Sequence, residues 1–312
     1  MPLTADQLAL RKTMLTATDA VVLAGVYPGK RNACSIYLDK VGEPEAFDGS
    51  QVAVTVGHVL EPLAIQLVAD ERRLIVAPGD TVRHATEAWI GATPDAFVMQ
   101  APAKALGGKG REPVRVGVVE AKAVGYERMR HWGEDLDAVP EYVHVQVQWQ
   151  LLATGLKTAY VSALFGTRHA SYVIEHDDAL ASALLEVCGA FWKNHIAPRR
   201  MPSVDGSESA WKMVKAAWPK PVRGGLLWAA PEIATLAEEA LAAAKQRAHW
   251  EKLEAQKKQQ LCALIGDNEG YEGNGWRAKW SMRAGYTRPA CEIAPTRALD
   301  LREVKASKGK AA

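Results

Sequence analysis

Two acids and a lysine carry the most distinctive chemistry in this sequence. Val118-Val119-Glu120-Ala121-Lys122 sets an acid and a base two residues apart at the end of an apolar, β-branched run. Side chains alternate along a strand, so Glu120 and Lys122 should share one face while Ala121 takes the other. Charges beside a buried strand are costly unless something partners them. A hard cation held by Glu120, with Lys122 next to a water or phosphate oxygen, would supply that partner. The spacing alone is not diagnostic, because Glu303-Val304-Lys305 repeats it in the charged tail. Context separates the two. Ile90-Gly91-Ala92-Thr93-Pro94-Asp95-Ala96-Phe97 puts a Pro-Asp corner between two apolar strands, and a returning strand would bring Asp95 beside Glu120. Two carboxylates on one sheet edge form an oxygen-rich site suited to magnesium or manganese. Singly, Asp95 also reads as a turn residue after proline, and Glu120 with Lys122 as a surface ion pair. Jointly they read as a site.

The elements that must position these residues follow from periodicity. Residues 114–121 are the central strand. Short strands are expected over 74–77, 88–90 and 97–99, with a glycine- and lysine-rich loop over 104–112. Val56, Val59, Leu60, Leu63 and Leu67 recur at helical steps, and Val143, Val147, Leu151 and Thr154 do so over 142–154. A strand pair (160–165 and 171–174) and a closing helix (179–195) complete this part. A helix over 5–15 leads to Thr16-Ala17-Thr18-Asp19, where Thr18 or Asp19 is expected to cap the next helix. Glu61 precedes Pro62, which is tolerated in a first turn but costly in a helix interior. Composition shifts to Pro, Arg, Ser, Gly and Asp over 196–209, so the boundary is set there: a core over 1–200 and an extension over 201–312. In the extension, 231–265 is one long helix with a stripe of Leu236, Ala240, Ala243, Trp250, Leu253 and Leu264. Gly273-Asn274-Gly275 turns the chain into a strand over 276–283, giving a hairpin at about 270–285, before a lysine-rich tail. That strand alternates an aromatic face, Trp276 and Trp280, with a basic one, Arg277, Lys279 and Arg283, which reads as a solvated sheet face or a DNA-backbone contact.

Bulk properties bound the partners. A formal net charge of +2 over 312 residues advertises no polyanion, so any nucleic-acid site must be a local basic patch. Cys34, Cys188, Cys262 and Cys291 are scattered, with no CxxC pair, which excludes a zinc ribbon or redox dithiol and suggests buried thiols in a reducing cytoplasm. The N-terminal stretch has no signal-peptide pattern, and no apolar run is expected to reach the ~18 residues of a membrane helix. A soluble, cytoplasmic protein is expected.

Pro94-Asp95 with Glu120-Ala121-Lys122 resembles the PD-(D/E)xK nuclease signature. More narrowly, the chain resembles the lambda-exonuclease-like, YqaJ-type viral recombinase family. Gly57-His58-Val59-Leu60-Glu61 is similar to that family's G-x-x-x-E helix, and Val145-Gln146-Val147-Gln148-Trp149 to its Q-x-Q helix. Arg11 and Thr18 have the spacing of its 5′-phosphate pair, and Tyr27-Pro28 with Ser35 to Lys40 resembles the stretch that follows. The likeness runs in order over about residues 8–200. It implies an α/β, restriction-endonuclease-like core: a mixed central sheet flanked by helices, with the helical and hairpin extension appended. It implies Glu61, Asp95, Glu120 and the Ala121 carbonyl as metal ligands for Mg2+ (or Mn2+). Asp95, Glu120, Lys122 and Gln146 would be the catalytic group, and Arg11 and Thr18 the end-phosphate site. A helix N-terminus with a hydroxyl and a guanidinium has the chemistry to hold phosphate. The implied activity is 5′→3′ digestion of double-stranded DNA ends. The 3′ tails would pass to a single-strand annealing protein, and the enzyme would be a homo-oligomer, a ring trimer. Alternatives are another PD-(D/E)xK nuclease (an endonuclease or a Cas4-like enzyme, for which the cysteines are too scattered) and a DNA-binding protein that keeps the fold without cleaving.

Overall fold

A computed structural model describes residues 4–42, 51–100, 112–133, 135, 138–220, 227–274 and 276–280. Three short helices open the chain: α1 (Ala5–Lys12), α2 (Ala17–Leu23) and α3 (Ala33–Val41). Side-chain oxygens begin two of them, Thr4 accepting from the Gln7 amide and Asn32 from the Ser35 amide. Such caps satisfy the orphan donors of the first turn. The cap of α2 is Thr16, not Thr18 or Asp19. Its amide and hydroxyl both donate to Asp19 Oδ2 at 2.8 Å, so Asp19 is the returning partner inside the first turn.

Helix α4 (Gln51–Arg72) runs to β1 (Ile75–Pro78), β2 (Val82–Arg83), β3 (Gly91–Ala92), β4 (Ala96–Gln100) and β5 (Val114–Ala123). A 3-10 turn (Tyr126–His131) leads to α5 (Glu141–Thr154), then to β6 (Thr158–Phe165), β7 (Arg168–Glu175) and α6 (Asp178–Phe191), which ends in a π-helical turn (Trp192–Ile196); α7 (Glu208–Ala217) follows an irregular stretch. The main sheet has the order β1-β4-β5-β6-β7. Only β5 and β6 pair in parallel, and α5 makes the crossover that a parallel pair requires. This is the expected mixed α/β sheet flanked by helices, with the valine-rich 114–123 segment in its centre. The strand expected over 88–90 is displaced: residues 91–92 pair with β2, while Ile90 bridges Leu15.

The alternation of β5 sorts the core into layers. Val118 packs with Val143, Val147 and Leu151 of α5, while Val119 packs with Val68 of α4. Helix α4 buries Ala64, Val68 and Ala69 rather than the larger residues of the expected stripe, for Val56, Val59 and Leu63 are exposed. Small residues bring its backbone close to the sheet: Ser162 Oγ donates to the Ala64 carbonyl at 2.7 Å, and Arg72 Nε to Ser171 Oγ at 2.8 Å. Pro62 lies in the interior of this 22-residue helix, not in a first turn. The helix also contains an 18-residue window of mean hydropathy 1.6, so by length and composition it passes the membrane-span test that the sequence was expected to fail.

Contacts divide the chain after Ala217 rather than near residue 200. Residues 201–217 belong to the first unit because α7 buries Ala210 and Met213 in the cluster that holds Ile36 and Trp149. The second unit contains α8 (Pro231–Ile265) and a hairpin of β8 (Gly270–Gly273) and β9 (Trp276–Lys279). The strand expected over 276–283 ends at Lys279 among the described residues, with Trp280 outside it; residues 281–283, residues 104–111 of the expected loop, Cys291 and the lysine-rich tail lie outside the described residues.

Candidate active site

Glu120 is buried within β5, 4% exposed, and both of its oxygens are occupied. Lys122 Nζ donates to Oε1 at 2.6 Å and Gln146 Nε2 donates to the same oxygen at 2.5 Å. Gln150 Nε2 donates to Oε2 at 2.6 Å. Lys122 Nζ also donates to Gln146 Oε1 at 2.8 Å, closing a triangle among the three side chains. Burial opposes the Lys122 charge, but Glu120, its hydrogen bond, Asp95 and Tyr142 outweigh burial and raise the ammonium above its usual value. Lys122 thus holds its ammonium against Glu120 and Gln146, with donors to offer.

Asp95 stands at the start of β4 as its neighbour. Its Oδ2 accepts from the Ala121 amide at 2.7 Å, and its own amide donates to the Val119 carbonyl at 3.1 Å. Burial first, then the charge of Glu120, hold its carboxyl well above the ordinary carboxylate range; the Ala121 amide and Lys122 oppose this, and Glu61 adds to it. The corner is also held from below. Gly79 N–H donates to the Asp95 carbonyl at 3.1 Å, and a Cβ on Gly79 would stand 1.8 Å from the Pro94 carbonyl oxygen. Only glycine permits that approach.

Glu61 arrives from α4. It lines a cleft of about 270 Å³ together with His58, Ala64, Asp95, Glu120, Ala121 and Lys122. Pro62 lacks an amide hydrogen, so the His58 carbonyl one turn earlier has no helical donor, and His58 lines the same cleft. Among the described residues no three His, Cys, Asp or Glu side chains are close enough to cage a metal unaided. The donors present still fit a hard divalent ion in kind. They are oxygens, and burial disfavours charge on Asp95 in a way that a bound cation would offset. A site with two adjacent carboxylates whose remaining positions fall to water and phosphate is the usual magnesium arrangement.

Arg11 reaches the same corner from α1. Its guanidinium donates to Thr93 Oγ1 at 3.2 Å, two residues before Asp95, and Thr93 Oγ1 lies 3.0 Å from Thr81 Oγ1. Burial lowers the Arg11 pKa, Asp19 opposes that, and the nearby Arg31 charge adds to it. Beneath this, Lys40 Nζ joins Asp19 at 2.7 Å and the Arg11 carbonyl at 2.9 Å, tying the first three helices together. Thr18 is half-buried in the first turn of α2, and no bond between it and Arg11 is seen among the described residues. The structure therefore joins Glu120, Lys122 and Gln146 by direct side-chain bonds, ties Asp95 to β5 through the Ala121 amide, adds Glu61 through the cleft, and brings Arg11 to the edge of that group.

Gln148, the other glutamine of the Q-x-Q stretch, serves the fold instead. Its amide donates to the Glu175 carbonyl and accepts from the Asp177 amide. Gln150 and Gly79 are the residues that sequence reading missed. Gln150 stands four residues after Gln146, hence on the same helix face, which was a legible signal. Gly79 had none, since its neighbour is distant in the chain. Cys34, Cys188 and Cys262 form no disulfide among the described residues. Burial, then Asp19, push the Cys188 thiol up to about 12, which leaves it inert.

The "Uncharacterized protein YqaJ" of Bacillus subtilis (strain 168) is 23% identical over 209 residues, spanning 66% of this chain and 60% of that protein's length. Among solved structures, an alkaline exonuclease (LHK-Exo) of Laribacter hongkongensis in complex with dAMP is 20% identical, with 69% of this chain and 98% of that one covered at a TM-score of 0.49. A phage-related exonuclease from Haemophilus somnus 129PT is 14% identical, with coverage of 60% and 95% and a TM-score of 0.43. A YqaJ-like viral recombinase domain is recognised over residues 6–157, the stretch that contains Arg11, Glu61, Asp95, Glu120, Lys122, Gln146 and Gln150. Over that stretch the chain is similar to the YqaJ-like viral recombinases.

Proposed function

We propose that this protein is a metal-dependent deoxyribonuclease that digests double-stranded DNA from its 5′ ends. The carrying observation is Glu120, held at both oxygens by Lys122, Gln146 and Gln150 at the wall of a cleft it shares with Asp95 and Glu61. Such restraint suits a group that must not move while charge develops beside it. Glu61, Asp95, Glu120 and the Ala121 carbonyl would hold Mg2+ (or Mn2+), which supplies charge neutralisation at the phosphate and a more acidic water. Gln146 and the Lys122 ammonium orient that water and offer hydrogen bonds to the phosphate as it becomes pentacovalent. Water oxygen bonds to phosphorus, the bond from phosphorus to the 3′ oxygen of the terminal nucleotide breaks, and the next nucleotide keeps a 5′ phosphate. The Lys122 ammonium positions the nucleophile and stabilises charge, while the proton lost by the attacking water passes to solvent and the departing 3′ oxygen takes one up.

Arg11 and Thr18 would hold the end phosphate, and the bond from Arg11 to Thr93 links that role to the Asp95 corner. The product, a 3′ single-stranded tail, would pass to an annealing protein in a cytoplasm, and a ring trimer of the first unit would keep the enzyme on its strand. The test uses linear duplex DNA labelled at either end. With magnesium, 5′-phosphorylated ends should be shortened progressively, and Lys122→Ala and Glu120→Gln should each lose about 10²–10³-fold in rate while still binding DNA at low salt. An unmodified protein that binds duplex ends but leaves them intact with magnesium or manganese would instead be a non-cleaving DNA-binding member of the fold.

A further inference from the structure

The second unit contains a helix without a described neighbour that explains its sequence. α8 is 35 residues long, about 50 Å at 1.5 Å per residue. Ile233, Leu236, Ala240, Ala243, Arg247, Trp250, Glu254, Lys257, Leu261 and Leu264 follow one another by alternating steps of three and four over its whole length. Seven of the ten are apolar, as coiled-coil a/d positions require, and Arg247, Glu254 and Lys257 set charges among them. All of them but Leu261 are exposed, including Ile233 (61%), Leu236 (66%), Trp250 (63%) and Leu264 (75%).

The composition of the seam selects its partner. Both ends are aliphatic, whereas the middle has small, cationic, aromatic and anionic residues in a fixed order. In a parallel pair of identical helices each layer would meet itself, setting Arg247 on Arg247, Glu254 on Glu254 and Lys257 on Lys257. In an antiparallel pair a positions meet d positions, and one register sets no charged residue against another. Ile233 then meets Leu264, Leu236 meets Leu261, Ala240 meets Lys257, Ala243 meets Glu254 and Arg247 meets Trp250. Each alanine leaves room for the aliphatic stem of a charged residue whose head reaches water. The central layer sets a guanidinium against an indole, the favoured cation–π combination. The flanking charges are already answered within the helix, Arg247 by Glu251 at 3.5 Å and Glu254 by Lys258. We infer that α8 is a self-association helix, which pairs antiparallel with α8 of a second copy of this chain about a two-fold axis between Arg247 and Trp250. The seam lies outside the matched 6–157 domain, so the pairing is independent of the nuclease reading.

Directed cross-linking tests the partner and the direction together. In full-length protein with Cys262→Ser and Cys291→Ser, two differently tagged copies carry Ile233→Cys and Leu264→Cys respectively. Mild oxidation of the mixture should give the mixed disulfide, with each variant alone giving at least tenfold less. Self-linking of the Ile233→Cys variant alone would mean a parallel pair, and no linking in any mixture would mean that α8 is covered by something else; either overturns the inference. Light scattering supplies a second readout. Leu236→Glu with Leu261→Glu should halve the mass found for the unmodified protein, whose single chain is 33.8 kDa, with helix content unchanged by circular dichroism. An unmodified protein whose mass is the same as that of the double variant would refute the pairing.

Discussion

Asp95 and Glu120 are adjacent carboxylates in opposite circumstances. Glu120 receives three side-chain donors, whereas Asp95 has one backbone donor and sits under the field of Glu120. The raised carboxyl of Asp95 has a thermodynamic consequence. Its native state binds a proton more tightly than the unfolded chain does. Stability is therefore greatest below the unfolded carboxylate pKa, about 3.9, and falls as pH rises through the higher native value. The metal-free protein bears more of that penalty as pH rises. Asp95→Asn keeps an acceptor for the Ala121 amide and removes the charge. In EDTA it should melt at a higher temperature than the unmodified protein at pH 8, with the gap narrowing toward pH 4, while cleavage is lost. A gap that fails to shrink as pH falls would mean that Asp95 is not the source.

At the scale of elements, α5 is the part that organises the site. A spacing of four residues, about one helical turn, stacks Gln146 and Gln150 on one face, so a single helix supplies a donor to each oxygen of Glu120. Val143, Val147 and Leu151 fix the height of that helix on the sheet, and Trp149 anchors its other side through a 3.1 Å bond to the Gly91 carbonyl. Gln150 is 1% exposed, and its Oε1 has no partner among the described residues, so its amide is held there for its donor. Gln150→Leu should leave Glu120 Oε2 buried without a donor, costing about 1–3 kcal/mol in denaturant melts. A loosened Glu120 should also lower kcat with little change in KM, and Gln150→Glu, which brings a second carboxylate, should not restore it. Unchanged stability in the leucine variant would show that the Gln150 bond is not made. Helix α4 makes the complementary contribution, with Pro62 interrupting its hydrogen-bond ladder immediately beside Glu61.

For the whole molecule, the informative feature is where the first unit ends. α7 follows the Pro- and Ser-containing stretch that suggested a boundary, yet Met213 is 2% exposed, Asn32 Nδ2 donates to Asp205 and Ser207, and Ser35 Oγ lies 2.8 Å from Ser209 Oγ. A chain ended after Ala217 should therefore melt as one cooperative unit. A chain ended after Arg200 uncovers the Ile36 and Trp149 cluster and leaves these polar groups to water. It should be less stable by on the order of 3–5 kcal/mol, read from chemical denaturation of the two truncations side by side. Equal stability would place the boundary near 200 after all.

The amino-acid sequence by itself determined the local elements and the candidate chemistry. The valine run made β5 the central strand, alternation set Glu120 and Lys122 on one face, and the 3.6-residue period drew α5 and the full extent of α8, because these depend on neighbours within a few residues. The proximity of Asp95 to Glu120 was also foreseeable, since it needs only one returning strand. The tertiary structure alone decided the rest. It showed that Gly79 must be glycine, that Gln150 and not Gln148 reaches Glu120, that Arg11 meets Thr93, and that α7 belongs to the first unit. Each of these depends on groups far apart in the chain. Their distances are set by how helices settle on a sheet, through small residues such as Ala64 and bonds such as Ser162 to its carbonyl, and no local pattern records that.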